Sequence, residues 1–377
     1  MASRAPVRVF GVALSASQPR RCRFGVSGWS SADPSERCRR SSTPGRWTPV
    51  SNLESAPQEL RCPASAGAGG RPRPVEVFAP INVPLGGPRA MSVRRTLPRR
   101  QRWRVGAWCF LDHYGPNDVA GTGGMDVAPH PHTGLQTVSW LFSGEVEHRD
   151  SLGTHALVRP GELNLMTAGA GICHSEVSTP DTTVLHGVQL WIALPDAHRH
   201  APRAFEHYTP MPAQLPGAVL RVFIGSLAGQ TSPAPTFSPL LGAEVRLQPG
   251  AQLILDVDPS FEHAFLSDTE SVAVDGVETP WAALAFLEAG RSTVTLANHT
   301  DEPARGLLLG GEPLDEEIVM WWNFLGRSHE EIAAYRREWE RKSDQFGRVQ
   351  GYRGSPARLP APPLPNVRLR PRGSSPD

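Results

Sequence analysis

Lysine is almost absent from this chain: Lys342 is the only one among 38 basic residues. Arginine carries the basic charge. With 38 prolines and 36 glycines, this bias fits a GC-rich coding sequence better than a selected surface, so arginine counts alone say little about partners. An excess of one charge sign is missing too. The 38 basic and 37 acidic groups leave +1, which excludes a general attraction to nucleic acid or anionic lipid. No apolar run approaches the roughly 18 residues of a membrane-spanning helix, and the run around Ala282 to Leu287 falls far short. Cysteine is scarce and odd in number: Cys22, Cys38, Cys62, Cys109 and Cys173, without CxxC spacing. This speaks against a zinc ribbon or a disulfide framework and for a reducing, cytoplasmic setting. Cys109 and Cys173 sit in apolar, strand-like surroundings, where a buried thiol behaves as a small hydrophobe.

What is present suits about two domains, since the chain has 377 residues and the length prior is roughly 150 residues per domain. The ends read differently from the middle. Residues 1–75 hold twelve arginines against Asp33, Glu36, Glu54 and Glu59, a net of +8, and are rich in Ser, Pro and Gly without sustained periodicity. They are expected to form a disordered basic extension without a function of its own. The competing readings are an Arg/Ser-rich organelle address and a secretory signal, although the apolar patch Val9 to Ala16 is short and adjoins Arg8. Residues 346–377 read as a Pro-rich disordered tail, with Pro360, Pro362, Pro363 and Pro365 close together. Before that tail, Ser328 to Lys342 predicts a helix. Ser328 is the N-cap, Glu330 and Glu331 lie in the first turn, and Ile332, Tyr335 and Trp339 form a docking face.

Between residues 76 and 314 short alternating segments follow one another. Gln136 to Phe142, Val184 to Leu194, Val219 to Ile224, Ala243 to Leu247, Gln252 to Val257 and Ser292 to Ala297 predict strands, with Pro249-Gly250 and Asp275-Gly276 as turns. This pattern predicts an all-β sandwich or barrel, and the length allows two, jointed near Pro210 to Pro216. No repeat links the halves, so any duplication is one of shape.

The chemistry concentrates in one window. Pro129-His130-Pro131-His132 places two imidazoles two residues apart, and the strand period of two points both to one face. Pro131, without an N–H, predicts an edge or a rim. Alone, an HxH in a chain with thirteen histidines is as readily a structural pair. Forty-two residues after His132, His174-Ser175-Glu176 repeats the spacing. Three neutral imidazoles and one carboxylate suit a divalent first-row metal and leave two positions of a six-coordinate ion for water, substrate or O2. Thr167 to Gly171 forms a small-residue bend leading into His174, and even parity from His132 would turn Gln136, Val138 and Trp140 into the same interior. Buried, hydrogen-bonded histidines are the competing reading.

The run HPHTGLQTVSWLFSGEVEHRDSLGTHALVRPGELNLMTAGAGICHSE, with Val93 to Pro98, Phe110 to His113, Gly187 to Trp191 and Glu316 to Phe324, resembles the pirin family of the cupin superfamily over about residues 76 to 345. The resemblance implies two stacked cupin (jelly-roll) β-barrels, to which the residues themselves add the short C-terminal helix and disordered termini. It places a metal-binding barrel over 76–212 and a metal-free barrel plus the helix over 213–345. It also implies Fe(II), one per chain and in the first barrel only, held by His130, His132, His174 and Glu176. The second half offers His263 and His299 but no HxH. Gln136 departs from the pattern, because cupins often carry Glu near this place; the negative charge then rests on Glu176.

The family implies two activities. One is a quercetin 2,3-dioxygenase, an oxidoreductase opening a flavonol with O2, in which Glu176 would be both metal ligand and catalytic base for the 3-hydroxyl. His113, His148 and His186 are further candidate proton shuttles, each more readily structural. The other is an iron-dependent, redox-sensing regulator acting through a protein partner. A sugar isomerase or storage cupin shares only the fold. The expected partners are a small flavonol-like aromatic and O2, with neither membrane nor direct nucleic-acid contact, since no recognition helix or zinc finger is encoded and residues 76–377 carry −7.

Overall fold

The structure, a computed structural model, describes residues 74–85 and 91–371. The basic segment read over 1–75 therefore lies almost wholly outside the described residues.

Strand-forming segments separated by glycine and proline turns collapse into two antiparallel barrels of the same plan. In the first, a seven-stranded sheet runs Ala204–Tyr208, Leu163–Thr167, Leu135–Ser143, Val184–Ala193, Trp108–Asp118, Met91–Leu97, Ile81–Leu85. It faces a four-stranded sheet ordered Asp126–His132, Ile172–Ser178, Val146–Asp150, His155–Val158. The second barrel again pairs a seven-stranded sheet, from Glu76–Phe78 to Ala213–Leu215, with a four-stranded one built from Gln252–Asp256, Thr293–Ala297, Val272–Val274 and Val277–Thr279. The duplication is thus one of shape, as two stacked jelly rolls require. Asp275 and Gly276 make the expected two-residue hairpin, both at positive φ (47° and 79°) between paired Val274 and Val277.

The two large sheets are apolar on both faces, which explains strands such as Leu135–Ser143 that are buried along almost their whole length. One face fills its own barrel. The other joins a shared core in which Trp140 stacks on Phe223 with ring centroids 4.6 Å apart and the Trp108 indole N–H points at the carbonyls of Leu241 and Gly310. Burying two such faces against each other supplies the hydrophobic drive for stacking.

The ends of the described chain cross over. Glu76–Phe78 pairs with Leu284–Leu287 in the second barrel, whereas the hairpin Val319–Trp321/Phe324–Gly326 and everything after it return to the first. The helix His329–Glu340 begins at Ser328, whose hydroxyl accepts from the Glu331 N–H, and buries Ile332, Tyr335 and Trp339, the face expected. It packs on the first barrel, not on the second to which its chain position assigned it.

The tail also differs from expectation. Residues 346–371, read as disordered from their prolines, lie along the first barrel and the helix, with Leu359, Ala361 and Leu369 buried. The Leu359 N–H donates to the Pro129 carbonyl, and its own carbonyl accepts from the Trp339 indole. Proline costs this segment few hydrogen bonds because it docks by side chains rather than as a ladder strand. Residues 372–377 lie outside the described residues.

Candidate metal centre

The HxH segment is the strand Asp126–His132, and it sits at the edge of its sheet, as Pro131 demands. Its one ladder partner among the described residues, Ile172–Ser178, carries His174 and Glu176. His174 pairs with His130, but Glu176 pairs with Val127, so Ala128 and Pro129 together face Ser175. This bulge bends the edge strand inward beside His130. Two glycines seat the neighbouring loops. Gly134 has φ +69°, and a Cβ there would lie 2.6 Å from the Leu325 carbonyl oxygen; Gly169 has φ +50°, and its Cβ would lie 1.8 Å from that of Ala201. Only glycine fits either position.

His130, His132 and His174 are brought together, with ligand nitrogens within 4.8 Å of one another. The His132 and His174 Nε2 atoms are 3.1 Å apart, and the three ring centroids are 4.4 to 5.0 Å apart. All three are buried. Burial pushes the His130 pKa down to about 4, while burial and the neighbouring imidazoles push His132 and His174 well below the ordinary value. All three are therefore neutral at pH 7, the form that binds metal. His130 Nδ1 donates to the Ala128 carbonyl at 3.0 Å, leaving its Nε2 lone pair free.

Glu176 lines the same cavity but lies outside the 4.8 Å set. Burial raises its pKa, and Ser139 Oγ lies 3.3 Å from its Oε1. The enclosed part of the cavity is small, about 40 Å³ of room for water-sized spheres, enough for an ion with a few waters. Val93, Phe110, Val127 and Trp191 give it apolar walls, and Gln189 and Asp112 add polar points. Asp112 is held by a buried two-point pair with Arg95, at 2.7 and 2.8 Å. The chemistry of this donor set, neutral imidazoles converging beside one carboxylate, fits a first-row divalent ion.

The parity expectation fails at Gly134. Its left-handed turn resets the alternation, so Gln136, Val138 and Trp140 face the second barrel while Ser139 and Leu141 turn into the first. Gln136 donates to Thr167 and the Pro235 carbonyl, and Trp140 donates to Glu244 at 2.9 Å. The glutamine that departs from the cupin pattern is thus not among the cavity-lining residues. Ser139, Gln189, Trp191 and Tyr114 line or support the site and were missed. Corrected for the turn, the parity of Leu135–Ser143 alone would have found Ser139.

The other histidines lie apart. His148 packs behind His174, and His299 is exposed and pairs with Glu278. His263 is buried in the second barrel. His113 and His186 meet Asp268 of the second barrel in another group of three, with both Nε2 atoms at 2.7 and 2.6 Å from Asp268 Oδ1. Here Arg94 and Arg305 approach the two Nδ1 atoms at 3.3 Å each. A guanidinium only donates, so both Nδ1 atoms are acceptors and both Nε2 atoms carry protons toward Asp268. This cluster has no nitrogen lone pair to offer an ion; it clasps the barrels together.

Comparison with known proteins follows the same lines. The family model described as Pirin matches residues 90–192, and that described as Pirin C-terminal cupin domain matches 242–346. A Pseudomonas aeruginosa protein named provisionally as a quercetin 2,3-dioxygenase is 46% identical over 276 residues, 73% of this chain and 86% of its own. A pirin-like protein of Caulobacter vibrioides is 36% identical over 261 residues, covering 66% of this chain and 88% of that one. Among solved structures, a quercetin 2,3-dioxygenase from Acinetobacter baumannii superposes with a TM-score of 0.73 at 36% identity, covering 78% of this chain and 97% of that chain. Two barrels, one histidine-lined cavity and matches to both halves lead to one conclusion: the chain belongs to the pirin family of bicupins.

Proposed function

We propose that the protein is a flavonol 2,3-dioxygenase of the quercetinase type, using one Fe(II) held by His130, His132, His174 and Glu176. One observation carries the reading: three buried, neutral imidazoles and a buried carboxylate line one apolar-walled cavity. The relatives named for quercetin dioxygenation support the substrate class.

Bound there, the ion would supply Lewis acidity and one-electron exchange with O2. The chain's own residues do the rest. Phe110, Val127 and Trp191 would receive a flat aromatic and keep water away. Glu176 would accept the 3-hydroxyl proton. Ser139 lies between Glu176 and the Gln189 side-chain oxygen, at 3.3 and 3.0 Å, and has one proton to give. When it donates to Gln189, its oxygen can accept the proton carried by Glu176, so the carboxyl is held in either state.

The test pairs elemental analysis with an oxygen electrode. Purified protein should hold about one metal ion per chain, and quercetin added without air should lose its absorption band only after O2 is admitted. His130→Ala and His174→Ala should lose both ion and activity. Full metal retention in both variants, or no metal-dependent O2 uptake with any of a panel of flavonols, overturns the reading.

A further inference from the structure

His174 can serve as a ligand through Nε2 only if its proton sits on Nδ1, and the structure contains a device that decides this. Strand Val146–Asp150 runs beside Ile172–Ser178, with Asp150 opposite His174 and His148 opposite Glu176. Its alternation turns Val146, His148 and Asp150 inward. His148 Nδ1 lies 3.4 Å from His174 Nδ1, and His148 Nε2 lies 3.3 Å from Asp150 Oδ2. The His148 ring is fixed between His174 and Phe205, with centroids at 5.1 and 4.8 Å. Asp150 is anchored through its other oxygen, which accepts the N–H groups of Leu152 and Thr154 at 2.8 and 3.1 Å.

Proton positions follow from the carboxylate outward. An ionised Asp150 only accepts, so His148 must carry its proton on Nε2. Its Nδ1 is then a lone pair, which the Nδ1–H of His174 meets. His174 is left with a bare Nε2, 3.1 Å from the His132 Nε2. We propose that Asp150 and His148 are positioning residues that lock His174 in the tautomer able to bind a metal ion, a carboxylate–imidazole–imidazole relay one link longer than the usual carboxylate–histidine support. The proposal rests on the reading of His174 as a ligand.

Asp150→Asn makes the relay run backwards. With the amide oxygen retained by the Leu152 and Thr154 N–H groups, the NH2 faces His148 Nε2 and donates. His148 must then protonate Nδ1, and His174 must move its own proton to Nε2, where an ion would bind. His148→Phe removes the relay while filling the space beside Phe205.

Two measurements on the full chain test this. In metal-free protein with 15N-labelled histidine, long-range proton–nitrogen NMR should show His174 as the Nδ1–H tautomer, switching to Nε2–H in Asp150→Asn. Titration with Co(II) against a chromophoric chelator should show affinity weakened about 10- to 100-fold in both variants, with their metal-free melting temperatures close to that of the parent. An unchanged tautomer in Asp150→Asn, or unchanged Co(II) affinity in both variants, overturns the relay. Failure of the ligand reading is distinguishable: His174→Ala would then bind Co(II) as the parent does, while the tautomer result still decides the relay.

Discussion

Removing Asp268 should be felt in both barrels. Its carboxylate is fully buried at the seam and accepts from Arg305 Nε at 2.6 Å, His113 Nε2 at 2.7 Å and His186 Nε2 at 2.6 Å. Burial alone would raise its pKa, yet the hydrogen bonds from His113 and His186 and the charge of Arg305 hold it well below the usual carboxylate range. Asp268→Ala leaves Arg305 without its buried partner and two imidazole N–H groups without an acceptor. Breaking a buried ion pair from one side costs about 3–5 kcal/mol. The Arg305 side chain keeps 18% of its exposure, so water relieves part of the loss and the lower half of that range applies. At roughly 1–2 °C per kcal/mol for a chain of this size, melting followed by calorimetry should fall by about 3–8 °C. Asp256→Ala, on the exposed face of the second barrel, is the control and should stay within about 0.5 kcal/mol of the parent. A transition moved by less than about 2 °C in Asp268→Ala would refute the clasp.

Two further outcomes are expected. Truncation after residue 345 strips Leu359, Ala361 and Leu369 from the first barrel, and with about 1.5–3 kcal/mol for each buried leucine the loss should exceed 3 kcal/mol in urea unfolding; unaltered stability would contradict the docked tail. His263 is buried, neither ring nitrogen makes a hydrogen bond of normal geometry, and burial pushes its pKa down to about 4. A histidine depressed in the fold contributes stability that is complete above the unfolded value near 6.5 and is lost as pH falls through 4, up to roughly 3 kcal/mol. His263→Leu should therefore lessen the acid loss between pH 7 and 4, leaving the share due to the other buried histidines, and an equally steep loss in the variant would show that His263 contributes nothing.

The parts of this structure that were legible in the sequence are those with short-range causes. Pro131 puts its strand at an edge because a missing N–H is missing in any context. Asp275-Gly276 makes a hairpin because few other pairs tolerate two positive φ angles, and the spacing of Ile332, Tyr335 and Trp339 is helical before anything packs on it. The pairs His130/His132 and His174/Glu176 were visible because strand period is local. Their meeting was a matter of resemblance and stoichiometry, and it needed the ladder to show it. What stayed hidden depends on distant chain. The parity from His132 to Gln136 was carried through Gly134, whose positive φ is fixed by the Leu325 carbonyl pressed against it. His113, His186 and Asp268 come from three separate strands or loops and meet only at the seam. The tail reads as disordered because Leu359, Ala361 and Leu369 have no period; they are spaced to fit a surface that the rest of the chain builds.

The crossed ends of the chain carry a consequence for how the molecule is made. Neither jelly roll is finished by the half of the gene that encodes most of it: one borrows Glu76–Phe78 from upstream, and the other waits for the aromatic hairpin, the helix and the tail. A polypeptide leaving the ribosome can therefore lay down the histidine-lined cavity early but cannot cover the edge strand that carries His130 and His132 until Leu359 has emerged to bond Pro129.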